Sequence, residues 1–157
     1  MKDIKFRGKT PDDKWVYGYY VHLHDCRKKR DSYRIYTGFA ETDVDDFFGD
    51  WHDVDPNSVG QFTGCLDKHG NEVYEGDIVD AWSAGSHCTN GLIHFASSRF
   101  FILLNGDNGP LGPWNLAPSQ YDEKDEHLEI VGNVIDNPEM VAGYLKWCKE
   151  RNEKWFD

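Results

Sequence analysis

The central segment decides the fold: residues 58–79 read SVGQFTGCLDKHGNEVYEGDIV. Two β-forming runs flank the pair Gly70-Asn71, which is typical of a tight turn. Glycines recur through the segment at spacings where strongly bent strands need backbone freedom or close approach. The segment therefore predicts sharply bent β-strands, of which residues 72–79 form one strand with a glycine kink.

Strand patterns continue on both sides of this segment. Period-two alternation, or a short apolar run bounded by turn residues, marks residues 4–7, 15–21, 33–39, 92–95, 100–104 and 128–135. Turn-rich segments separate the first two runs, and a short turn separates 92–95 from 100–104, so both pairs predict antiparallel hairpins. Residues 105–120 hold three glycines and three prolines, which predicts a loop around Trp114.

One helix is expected at the C-terminus. Asn137 is a favoured N-cap residue, Pro138 suits the first helical turn, and Glu139 would face the positive end of the helix dipole. Apolar and aromatic side chains then recur near helical spacing, at Met140, Tyr144, Trp147, Cys148 and Trp155. We therefore predict a C-terminal helix that docks by its aromatic face.

Composition favours a single β-rich domain. Of the 157 residues, 39% are hydrophobic and 15% aromatic, so the core is aromatic and not leucine-rich, as suits strands. We predict a mainly β fold in one domain over residues 1–157, with sub-parts at 1–57, 58–136 and 137–157. One β core should bury Trp15, Tyr17, Val73, Tyr74, Ile78, Val79, Ile130 and Val134.

Charge is unevenly distributed along the chain. The net charge is −11, yet residues 1–34 carry ten Lys and Arg against five Asp and Glu, or +5, which leaves −16 for the remainder. The acidity of the whole chain opposes non-specific attraction to phosphate backbones. A basic N-terminal third and an acidic remainder instead favour contact between one molecule and another.

Nothing in the sequence indicates export or a membrane span. The chain begins Met1-Lys2-Asp3 without an apolar export segment, and no run approaches the roughly 20 apolar residues that cross a bilayer. We therefore expect a cytoplasmic protein. The cysteines form no C-x-x-C pair, so we expect four free thiols, at Cys26, Cys65, Cys88 and Cys148.

Three segments together resemble one protein family. They are IKFR (4–7) leading to WVYG (15–18), VGQFTG (59–64) continuing to DKHGNEVYEGDIV (67–79), and IVGNVIDNPE (130–139). These segments are similar to those of the YopX-like proteins of phages and prophages. The resemblance implies a small, prophage-borne, intracellular, mostly β protein that contains an SH3-like barrel element and associates with itself. It implies no catalytic residues, and the charged runs between residues 26 and 55 match no part of the family pattern.

Few residues suggest chemistry. His22 and His24 would project to one face of a strand and could supply two metal ligands, although two histidines at this spacing are more often solvated side chains. Cys65, between Gly64 and the turn at Asp67, is a candidate nucleophile. Because no Cys/His signature accompanies it, a thiol that is packed in the core is the more frequent role for such a cysteine. We therefore expect no enzyme activity, no metal and no cofactor.

Two charged segments are candidates for binding. Arg27, Lys28, Lys29 and Arg30 form a basic run, expected at a hairpin tip, that either contacts phosphates, meets another subunit's acidic segment or is simply solvated. Residues 41–55 hold seven acids, three aromatic residues and no Lys or Arg, which predicts an acidic loop. The spacing of a calcium-binding loop is absent, so a solvated loop and a mimic of nucleic-acid charge are the alternatives.

The prediction for function is a non-enzymatic interaction module, made during phage or prophage expression, that assembles with itself and with a host or phage protein. Tryptophan is favoured at interface centres, so the expected anchors are Trp51, Trp114, Trp147 and Trp155, although all four could instead cap their own core. The alternatives are a nucleic-acid-binding accessory protein and a metal-dependent hydrolase that uses the His22 and His24 face.

The absence of an export signal leads to a test of the cysteines. Thiol titration of freshly purified, denatured protein should return all four thiols of the chain. A count below four would contradict the expectation that no disulfide forms.

Overall fold

The computed structural model describes residues 4–26, 29–38, 50–83, 86–96, 98–104, 112–116 and 127–150. The chain divides into two compact units, Met1–Phe62 and Thr63–Asp157, which are taken in turn. Both are built from antiparallel strands, which confirms the predicted mainly β fold. The SH3-like barrel element and the single domain stay predictions.

The first unit is an antiparallel sheet with the strand order β4-β3-β2-β1-β5. Phe6 pairs with Gly18 and Tyr20 with Ile35, so the two predicted N-terminal runs form a hairpin that a third strand extends. Of the predicted basic run, Lys29 lies in the turn between the second and third strands, and Arg30 begins the third strand. The strands are β1 (Phe6–Lys9), β2 (Trp15–Asp25), β3 (Arg30–Tyr36), β4 (Trp51–Asp53) and β5 (Gly60–Leu66).

The two faces of this sheet differ in exposure. One face carries Ile35, which is fully buried, and Val54, whose side chain lies against Gly8. The opposite face carries Tyr17, which is 49% exposed, so the prediction that Tyr17 is buried was wrong. Alternation along a strand places Tyr17 and Val16 on opposite faces but cannot say which face meets the core.

Part of the predicted acidic loop is a strand. Residues 51–53 form β4, which pairs with β3 through Tyr36 and Trp51 and through Arg34 and Asp53. A 3-10 helix, Pro56–Ser58, follows, and the Asp55 side chain accepts a hydrogen bond from the Asn57 amide at 2.9 Å. Residues 39–49, which hold most of the acids, lie outside the described part of the chain.

The second unit is a sheet with the strand order β10-β9-β8-β7-β11. It forms the predicted hairpin, in which Ile93 pairs with Ile102, and its last strand pairs with β7 through Ile130 and Val79. The end of β5 continues into this unit and is hydrogen-bonded to the short strand β6. The strands are β6 (Glu72–Tyr74), β7 (Asp77–Ser83), β8 (Ser86–Ala96), β9 (Arg99–Leu104), β10 (Gly112–Asn115) and β11 (His127–Asn133).

The run predicted as one kinked strand, residues 72–79, is two strands joined by a turn. Gly76 adopts a φ of 83°, a left-handed conformation that favours glycine. The buried Asp77 carboxylate accepts a hydrogen bond from the Tyr74 amide at 2.8 Å and so closes the turn. The side-chain alternation is therefore interrupted between Tyr74 and Asp77.

The second sheet buries apolar side chains on both faces. One cluster gathers Cys65, Val73, Val79, Ala81, Cys88, Ile93, Ile102 and Leu128. The other joins Ile78 and Leu92 to Val134, Val141 and Tyr144. Because adjacent residues of a strand point to opposite faces, Ile78 and Val79 serve different clusters, and the single core of the prediction is replaced by several.

The predicted helix is present, but its start differs from the prediction. A 3-10 helix, Pro138–Val141, leads into α1 (Ala142–Glu150). The Asn137 side chain makes no N-cap hydrogen bond and instead accepts one from the Asn133 amide at 3.3 Å. Within the described residues, no helix has the length and apolar character to span a membrane.

The region predicted as a loop around Trp114 contains strand β10. Its residues pair with β9, with Pro113 opposite Leu103 and Trp114 opposite Ile102. Proline is tolerated there because β10 is an edge strand, where one backbone donor can be dispensed with.

Close packing at Gly18 leads to a stability prediction. A Cβ at Gly18 would lie 2.0 Å from the Tyr36 carbonyl oxygen, so Gly18→Ala should lower the free energy of unfolding by about 2 kcal/mol or more. Gly38→Ala is the matched control, since no atom of the described residues lies within 4 Å of its added Cβ, and it should change stability by less than about 0.5 kcal/mol. Equal urea midpoints for the two variants would contradict the packing argument.

Candidate interaction surfaces

The exposed face of the first sheet carries a group of large side chains. The register of β2, β3 and β4 places Tyr19, Tyr36 and Trp51 in one row across the sheet, with Arg34 and Asp53 in the next row. Tyr17, Tyr19, Leu23 and Trp51 are 40–49% exposed. We call the surface formed by Tyr17, Tyr19, Leu23, Arg34 and Trp51 the aromatic face.

Trp51 is held in place by its neighbours on this face. The Arg34 guanidinium lies 3.8 Å from the centroid of the Trp51 ring, and its Nε donates a hydrogen bond to Asp53 Oδ1 at 3.1 Å. A cation over a tryptophan face is attractive, and an arginine held by a carboxylate is already oriented. The tryptophan is therefore a preorganised, partly exposed anchor at the edge of the sheet.

The other predicted anchors are placed differently. Trp114 is half-buried against the first core cluster of the second sheet, as expected for a side chain that caps its own core. The position of the Trp147 side chain, and all of Trp155, lie outside what the structure describes.

The basic run is only partly described. Lys29 has a φ of 47° at the turn, and Arg30 begins β3 opposite Asp25. Arg27 and Lys28 lie outside the described residues. The run is thus attached to the same hairpin that carries the aromatic face.

His22 and His24 lie on the opposite face of that hairpin and share one carboxylate. His24 Nδ1 is 2.6 Å from Asp31 Oδ1, and His22 Nε2 is 3.5 Å from the same oxygen. His22 also stacks on Tyr33 at a centroid distance of 4.7 Å. The His24 imidazole beside Asp31 holds the pKa of that carboxyl below its usual value. Over the described ranges, no group of three histidine, cysteine or acidic side chains is arranged to hold a metal ion.

A second aromatic array lies on the second sheet. His127, Trp82 and His87 are neighbours on β11, β7 and β8, and each imidazole stacks on the Trp82 indole at a centroid distance of 4.2 Å. We call these three residues the imidazole row. Sequence reasoning missed this row, because His87 and His127 are 40 positions apart and become neighbours of Trp82 only through the register of the strands. The Gly/Ser-rich segment before His87 was the one local feature of note.

The turn before β6 supplies the charges beside the imidazole row. Lys68 Nζ lies 2.5 Å from Glu129 Oε2 and 5.9 Å from the Trp82 ring centroid, while His69 Nε2 is 3.4 Å from Glu129 Oε1. The hydrogen bond from Lys68 lowers the pKa of the Glu129 carboxyl. Glu129 is therefore an anion engaged with two partners of its own unit.

Cys65 and Cys88 in the second unit are placed for packing. Cys65 and Cys88 are buried in the first core cluster, whereas Cys26 is exposed after β2, and all three thiols are free. Burial, together with the nearby charge of Asp80, raises the pKa of the Cys88 thiol to about 11. A protonated, buried thiol is a poor nucleophile.

Taken with these surfaces, the fold defines a mainly β protein of two antiparallel sheets, each of which carries an exposed group of charged and aromatic side chains. The model of the family described as YopX protein matches residues 5–142, and the chain belongs to the YopX family.

Comparison with solved structures shows the same fold. The crystal structure of protein EF1440 from Enterococcus faecalis matches 90% of this chain and 99% of its own, with 22% identity and a TM-score of 0.59. No curated protein matches the chain.

The thiol environments lead to a reactivity prediction. In native protein at about pH 8, iodoacetamide should modify Cys26 first and Cys88 most slowly, because only the thiolate reacts and burial keeps Cys88 protonated. A Cys148→Ser background restricts the comparison to the described thiols. Mass spectrometry showing equal rates at Cys26 and Cys88 would contradict the buried placement.

Proposed function

We propose that this YopX-family protein is a non-enzymatic interaction module, of phage or prophage origin and cytoplasmic, that assembles with itself through the aromatic face. The observation that carries the proposal is Trp51, 44% exposed and oriented by Arg34. Tryptophan, tyrosine and arginine dominate the binding energy of protein interfaces, and contiguous exposed apolar side chains mark such sites.

The division of charge supports a second copy as the partner. Residues 1–62 carry ten basic and twelve acidic side chains, a net −2, whereas residues 63–157 carry seven and sixteen, a net −9. A nearly neutral unit that presents Arg34 next to exposed aromatics can approach the acidic unit of another molecule with little repulsion. Charge of this kind orients an encounter, while aromatic burial supplies the affinity.

The chemistry of the described side chains supports binding over catalysis. The two thiols that the structure describes in the second unit, Cys65 and Cys88, are buried, and His22 and His24 share a carboxylate that already engages both rings. Aromatic rings and ion pairs are instead concentrated on exposed sheet surfaces. A metal-dependent hydrolase at the His22 and His24 face gains no support from these contacts.

A nucleic-acid-binding role is the second candidate, and one observation favours it. Arg30 and Arg34 lie on the same face of the hairpin as Tyr19, Tyr36 and Trp51, a combination of cations and stacking rings that suits single-stranded nucleic acid. Binding of a fluorescent oligonucleotide that weakens steeply with salt would favour this role, because each neutralised phosphate releases counterions.

Self-assembly is tested by replacing the anchor. Light scattering at micromolar concentration should report a mass well above 18.2 kDa, and Trp51→Ala should raise the dissociation constant by roughly tenfold or more. Ile4→Ala is the matched control, because Ile4 is 59% exposed and belongs to the first unit but not to the aromatic face, and it should assemble as the parent does.

Salt provides the second arm of this test. High salt combined with charge reversal of Arg27 to Arg30 should lower the mass further, since it weakens the electrostatic steering. A monomeric mass at every concentration would overturn the proposal.

A further inference from the structure

The imidazole row gathers basic side chains in an acidic unit. Residues 63–157 carry a net −9, yet the described groups that stack on the Trp82 ring or lie over it are His87, His127 and Lys68. His87 is exposed, and Trp82 and His127 are half-buried, so the row can be reached from solvent.

The carboxylates that face the row are already engaged. On β11, Glu129 pairs with Lys68 and His69. On β7, Asp80 Oδ1 accepts a hydrogen bond from the Asn90 amide at 2.9 Å. In the described part of the unit, no carboxylate forms an ion pair with His87 or His127, which leaves two imidazoles able to receive an anion from another molecule.

From this arrangement we infer that the imidazole row is the docking site for the acidic, phenylalanine-bearing segment of a second copy, residues 41–50. The segment reads ETDVDDFFGD, with five acids, two adjacent phenylalanines and no basic residue, and so complements a surface of imidazoles, a lysine and an indole. This inference rests on the proposed self-assembly and names the partner surface used in it.

The position of the segment in the chain links the two surfaces. It joins β3 to β4, and its last residue, Asp50, precedes Trp51 of the aromatic face. Trp51 and the acidic segment are therefore adjacent in the sequence, and one copy would offer the segment to the imidazole row of another. Such a contact joins two different patches and is heterologous, unlike the self-complementary patch of a two-fold dimer.

Protonation should strengthen this contact. An imidazole gains its positive charge in mildly acidic solution, whereas aspartates stay ionised there. Positive charge gained by the imidazole row would then act on the acids of the segment. Lys68 and His69 add to the positive field, and Glu129 and Asp80 oppose it.

The experiment uses the full chain and a labelled synthetic peptide, ETDVDDFFGD. Fluorescence anisotropy should show the peptide binding roughly fivefold more tightly at about pH 6 than at about pH 8, the effect of two exposed charge pairs. His87→Gln combined with His127→Gln should abolish this pH dependence and weaken binding. The matched control removes two imidazoles elsewhere, as His22→Gln with His24→Gln, and should bind as the parent does.

A second peptide, with every Asp and Glu changed to the amide, tests the role of charge. It should bind weakly and without pH dependence. Absence of parent peptide binding, equal binding of the amide peptide, or binding unchanged in the His87/His127 variant would each overturn the inference.

The mass of the unlabelled full chain separates this inference from the proposed function. If the chain assembles but the peptide does not bind, the docking site is overturned and self-assembly stands. If the peptide binds with the expected dependence and the chain stays monomeric, self-assembly is overturned and the row remains a site for an acidic segment.

Discussion

Hydrogen bonds from backbone amides to two buried carboxylates set the path of the chain between β5 and β7. Asp67 accepts from the amides of His69 and Asn71, and Asp77 accepts from the amide of Tyr74. Burial alone would raise the pKa of Asp67, but these hydrogen bonds outweigh it and hold that pKa below its usual value. Charge-assisted bonds of this kind are each worth about 1.5–3 kcal/mol, enough to hold β6 between two tight turns. The direction of β7, and with it the register of the second sheet, depends on these turns.

The dependence of strand direction on these turns explains which parts of the fold could be predicted from sequence. The turn at Gly70 and the hairpin through Ile93 and Ile102 follow from local patterns, since turn residues and alternation lie within a few positions of each other. The break at Gly76 was read as a kink because nothing local shows that the Asp77 carboxylate turns back to an amide. Tyr17 was assigned to the core for a similar reason: alternation defines two faces without saying which one is covered.

The candidate surfaces could likewise be predicted from sequence only in part. Trp51 could be singled out as a tryptophan in a charged segment, although its partner Arg34 is known only from the pairing of β3 with β4. The imidazole row could not be predicted, because His87 and His127 come from segments far apart in sequence and meet over Trp82 only once three strands are in register. A sequence pattern can therefore identify a single exposed anchor residue, whereas a surface made from several strands is known only when their register is known.

Pro113 on the edge strand β10 bears on whether another molecule can extend the second sheet. A sheet edge with a full row of backbone donors and acceptors can recruit a strand from the next molecule, and repeated recruitment gives fibres without limit. Proline removes one donor from that row, and β10 spans only four residues, so this edge is a poor template for further strands. A strand from another molecule would therefore find one backbone hydrogen bond fewer along this edge than along an edge without proline.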